Sequence, residues 1–81
     1  MTRKERDEVN QVVREFIMER DITMRALARA IDYAPTNFWQ FLQGREKGGR
    51  DLPEEKLVAL EAHLEEKYGW DSVKHEYRPK T

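Results

Sequence analysis

The sequence predicts an all-α fold: a compact orthogonal bundle of four main helices, one of them a reading helix, with a short C-terminal tail. Three observations carry this. Apolar residues recur at helical spacing along most of the chain, capping and stop residues punctuate those stretches, and strand-like alternation is confined to the last few residues. At 81 residues there is material for one small core without metals or cross-links. The absence of cysteine removes disulfides, thiolate metal sites and thiol catalysis together.

The first helix occupies Met1 to Arg20. Thr2 and Glu5 stand at capping-box spacing, and Val9, Val12, Val13, Phe16 and Ile17 follow the i, i+3, i+4, i+7, i+8 pattern of one buried stripe. The Arg, Lys, Glu and Asp residues between them form a solvated face with weak i,i+4 pairs. Arg20-Asp21-Ile22 is a short connection to the next element.

Residues Thr23 to Gly44 divide into two short helices around a corner. Thr23 caps the first, whose Leu27, Ala28 and Ile31 share a face. Asp32 and Tyr33 leave room only for a sharp turn, and Asp tolerates left-handed backbone there. Pro35 suits the first position of the second helix, where its missing N–H would have had no partner. Phe38, Phe41 and Leu42 form the buried stripe, and Gly44 is placed to stop the helix in the left-handed conformation. On an ideal helix starting at Pro35, the residues Thr36, Asn37, Gln40 and Trp39 then point outward. Two short helices joined this way make a helix-turn-helix.

Beyond Gly44 the loop REKGGRD contains a Gly48-Gly49 pair that permits close backbone approach, but it lacks the Gly-Lys-Ser/Thr ending of a nucleotide-binding loop. Asp51 and Glu54 again stand at capping-box spacing, with Pro53 in the first turn. Leu57, Leu60, Leu64 and Tyr68, helped by Val58, predict a helix that closes the core and stops at Gly69. In the tail, Val73, His75 and Tyr77 alternate with Lys74, Glu76 and Arg78. A single strand needs a partner, so this segment either pairs with another copy or lies free, with Trp70 as an anchor on the last helix. The chain therefore divides into a helix-turn-helix domain, 1–69, and a tail, 70–81, serving as a strand or dimerisation arm.

Function classes narrow by the same reading. No motif sets a nucleophile beside a base, no metal-ligand cluster surrounds His63, and no acid is placed beside His75, so no enzyme activity, metal or cofactor is expected. Without an apolar run of membrane-span length, a soluble cytoplasmic protein is expected. The formal net charge of −1 argues against a nonspecific nucleic-acid coat. Its distribution is uneven: Tyr33 to Gly44 carries no charge, Arg45, Lys47 and Arg50 follow against Glu46 alone, and the segment from Pro53 onward is acidic.

Thr23, the Leu27-Ala28 pair, Ile31, Phe38, Phe41 and Gly44 together make the chain resemble the Cro and lambda-repressor family of helix-turn-helix domains, also called the xenobiotic-response-element family. The likeness is densest from Thr23 to Gly44 and extends loosely over residues 9–68. Met24 stands where that family often has Gln, Asp32 replaces the usual Gly of the turn, and Trp39 replaces a small polar residue. The resemblance implies a sequence-specific double-stranded DNA-binding regulator, a small repressor of phage or mobile-element type; because one domain makes few contacts, a homodimer on a two-fold related site is expected, with the tail as the pairing element. It implies DNA contacts from Thr23, Arg25, Thr36, Asn37, Trp39 and Gln40, with Arg45, Lys47 and Arg50 on the phosphate backbone. The rival expectation is a protein-interaction module that keeps the helix-turn-helix as scaffold and binds a protein partner through Trp39 or the acidic last helix.

Overall fold

The computed structural model describes residues 2–44 and 48–77. Helix α1 (Arg3–Arg20) starts from the predicted box: the Glu5 N–H donates to Thr2 Oγ1 at 3.2 Å and the Thr2 N–H to Glu5 Oε1 at 3.0 Å. The hydrogen bond from the Thr2 backbone, and then the one with its hydroxyl, hold the Glu5 carboxyl below the ordinary carboxylate range. α1 ends where Asp21 turns left-handed and its N–H returns to the Ile17 carbonyl.

Two short helices follow, α2 (Met24–Ala30) and α3 (Pro35–Gln43). Thr23 caps α2, its Oγ1 accepting from the Ala26 N–H at 3.1 Å. Asp32 makes the corner with φ 53°, a left-handed position that Asp occupies more readily than most side chains. Gly44 departs from expectation: with φ 78° and ψ 160° it has positive φ but not the left-handed helical geometry. The physical reason is the Gly48–Arg50 segment, which is bonded back to the C-terminal end of α3. The Gly49 N–H donates to the Gly44 carbonyl at 2.8 Å and the Arg50 N–H to the Gln40 carbonyl at 3.3 Å.

Helix α4 (Glu54–Tyr68) starts later than the sequence suggests. Pro53 takes the N-cap position and Glu54 is already the first helical residue, so Asp51 lies outside the helix. Between them Leu52, unremarked in the sequence, is 1% exposed and packs into the core. Val58 is another correction. It lies one residue off the Leu57, Leu60, Leu64 stripe and is 56% exposed.

Val9, Val13 and Phe16 of α1 meet Leu27, Ala28 and Ile31, then Phe38 and Phe41, then the α4 leucines in one continuous core. Trp70 completes it at 2% exposure, as the sequence anticipates for an anchor residue. The tail, however, finds its partner within itself. β1 (Trp70–Asp71) pairs antiparallel with β2 (Glu76–Tyr77), Trp70 opposite Tyr77, and Asp71 Oδ1 closes the hairpin by accepting the N–H groups of Val73 and Lys74.

The hairpin is fastened through rings and carboxylates. Phe16 meets Tyr68, Trp70 and Tyr77 edge-on, at centroid distances of 5.5, 5.9 and 4.8 Å, and the Arg20 guanidinium lies 5.1 Å from the Tyr77 ring centre. The buried Glu61 accepts from Trp70 Nε1 at 2.9 Å, and His75 Nδ1 lies 2.7 Å from the same oxygen. The fold thus does set an acid beside His75, contrary to expectation, because Glu61 is 14 residues away in sequence. Among the described residues no helix is long and apolar enough to cross a membrane.

Candidate nucleic-acid interface

The outer face of α3 is positioned from behind by four attachments. Phe38 and Phe41 face inward and meet each other edge-on at 5.8 Å. The buried Asn10 of α1 donates its side-chain amide to the Phe41 carbonyl, fixing the rotation of α3 about its axis. At the corner, the Lys56 ammonium of α4 donates to the carbonyls of Ile31 at 3.0 Å and Asp32 at 3.3 Å. Beside the C-terminal half lies the Gly48–Arg50 segment, bonded through Gly49 and Arg50. An added Cβ at Gly49 would stand 2.3 Å from the Gln40 carbonyl oxygen and 2.6 Å from that of Gly44, so only glycine fits this approach.

The face so positioned carries amides, a hydroxyl and an indole, and no charge. Thr36, Asn37 and Trp39 are exposed, Trp39 by 50%. Gln40 is half-buried, in keeping with the Arg50 N–H bonded to its own carbonyl. Ala34 supplies no side-chain cap, so the Thr36 and Asn37 N–H groups have no partner within the helix.

Cations stand at its margins. Arg25 is exposed on α2 and, with Arg29, Asp32, Tyr33, Ala34 and Pro35, lines a shallow cleft of about 410 Å³ at the start of α3. Arg50 is exposed beside the C-terminal half, its main chain tethered to Gln40. Thr23 is exposed at the start of α2; its hydroxyl accepts the capping bond and keeps its own proton for donation. Arg45 and Lys47 lie outside the described residues.

The arrangement brings Thr36, Asn37, Trp39 and Gln40 together on one helix, with Arg25 and Arg50 on neighbouring segments. Sequence reading misses the supports. Asn10 carries a faint signal, a lone amide inside an apolar stripe between Val9 and Val13, whereas Lys56 looks like an ordinary solvated cation. What such a surface can do is donate and accept paired hydrogen bonds from rigid positions while nearby guanidinium groups meet anions. No family model matches the chain, and neither a curated protein nor a solved structure shows significant similarity to it.

Proposed function

We propose that this protein is a sequence-specific binder of double-stranded DNA, a transcriptional regulator of the small-repressor kind, in which α2 and α3 form a helix-turn-helix and α3 enters the major groove. The observation that carries the reading is the face of α3: uncharged, rich in hydrogen-bonding groups, anchored on its inner side by Asn10, Phe38 and Phe41, and bounded by Arg25 and Arg50. Phosphate contacts hold a protein on DNA whereas amide and apolar contacts choose the base, and the two kinds of group are separated in this way here. One domain of this size makes few base contacts, so two copies on a two-fold related site complete the binding unit.

Selection of bound duplexes from a random DNA pool, followed by salt titration of the winner, tests the reading. An enriched motif, with affinity falling linearly on a log-log salt plot, is the expected result. A single observation favours a second reading, a protein-interaction module: Trp39 is a large apolar side chain half exposed on a rigid helix, as anchors of protein interfaces are. Recovery of no motif from the pool would shift the assignment to that reading.

A further inference from the structure

Resting on the DNA-binding reading, we infer that the base pairs beneath α3 are A·T pairs and that Trp39 covers a thymine methyl group. The argument is one of chemical complementarity. Guanine offers two acceptors in the major groove and is read by paired donors from Arg or Lys, while cytosine offers a donor and is read by a carboxylate. From Tyr33 to Gly44 there is no Arg, Lys, Asp or Glu. Adenine offers an acceptor and a donor side by side, which the amide of Asn or Gln matches with its own donor and acceptor, and Asn37 and Gln40 both lie on α3.

Thymine adds the one apolar projection of the major groove, its 5-methyl group. Trp39 is the large apolar side chain left exposed on α3, while Phe38 and Phe41, its aromatic neighbours, are buried. The indole and the amides lie on one helix whose rotation Asn10 fixes, Trp39 and Asn37 toward opposite margins of its outer face with Gln40 between them, so adenine edges and a thymine methyl are read at neighbouring positions. Cations do not alter this reading. Arg25 belongs to α2 and Arg50 to the loop, at the margins where phosphates pass.

The test starts from the duplex enriched out of a random pool and replaces each thymine in turn by deoxyuridine, which removes only the methyl group. The expected site has A·T pairs at those positions where Asn37→Ala relaxes the base preference. Deoxyuridine in place of one thymine of the enriched site should weaken binding about fourfold, the worth of one methyl group taken out of water. Trp39→Ala should bind the thymine and deoxyuridine duplexes equally, with a cooperative unfolding transition retained. An enriched site with G·C pairs at the Asn37-dependent positions would overturn the inference while leaving sequence-specific DNA binding in place. Equal binding of every deoxyuridine duplex by the parent protein would overturn the role given to Trp39. Failure to enrich any site would remove the DNA-binding reading itself, and this inference with it.

Discussion

The two tryptophans of this chain occupy opposite situations. Trp70 is 2% exposed, its ring against Phe16 and its N–H donated to the buried carboxylate of Glu61, so both the apolar and the polar part of the side chain are answered inside the protein. Trp39 is 50% exposed on a helix whose other aromatic residues are buried. The hairpin end of the molecule is therefore a closed region, in which the aromatic rings support one another. The outer face of α3 is an open one, held rigid by residues behind it and offering its own side chains to solvent. Rigid support beneath an unused surface is what a binding face requires, because little ordering remains to oppose association.

The contrast breaks first, if it breaks, at Trp70. Trp70→Ala should cost about 3 to 5 kcal/mol in chemical denaturation, from lost burial and from the N–H removed from Glu61. Trp39→Ala should cost clearly less in the same experiment, since half of that side chain is already exposed, and comparable losses from both would erase the distinction. Phe41→Ala should cost about 2 to 5 kcal/mol, since the ring is buried beneath the proposed reading face. Unchanged stability there would mean that α3 is rotated from the orientation described.

Smaller changes sharpen the comparison. Lys56→Ala removes two bonds to the α2–α3 corner from a partly exposed ammonium, so about 1 kcal/mol is expected, read as a shift in denaturant midpoint at constant slope. The smallest effect concerns pH at the other end. The folded-state carboxyl of Glu5 titrates below its ordinary value, so its contribution is present above the unfolded pKa and is lost as pH falls through the lowered folded one. Thr2→Ala removes the hydroxyl acceptor of that box and should flatten the acid limb of the stability profile across this window. An identical limb in both proteins would show that the Thr2 hydroxyl contributes nothing measurable, the backbone bond to Glu5 being kept in both.

How much of this is legible in sequence depends on the range of each interaction. The α1 stripe, the Thr2 and Thr23 caps and the left-handed Asp32 are set by neighbours within one or two helical turns, and all are readable. The face of α3 is readable too, because burying Phe38 and Phe41 leaves Thr36 and Asn37 on the outside. The hairpin is not readable, since each strand has two residues and alternation over so short a span does not reveal its partner. Glu61 looks like one more solvated acid on α4 until the tail folds back to supply Trp70 and His75 as partners. The same holds for Lys56 and Asn10, whose partners are main-chain carbonyls 24 to 31 residues away and leave no mark in the side-chain pattern.

The central claim, that the open face of α3 chooses a DNA sequence while cations beside it hold the backbone, is tested most directly by a sequence-by-salt comparison of Asn37→Ala with Arg50→Ala. Both positions are exposed, so neither change should disturb folding. On the enriched duplex Asn37→Ala should lose about 1 to 3 kcal/mol of binding, with little change on unrelated DNA and an unaltered salt slope. Arg50→Ala should weaken binding to all duplexes alike and make the log-log salt slope shallower by about 0.9 for each bound copy. Parent-like binding of every duplex by both variants, at the parent's salt slope, would contradict the account.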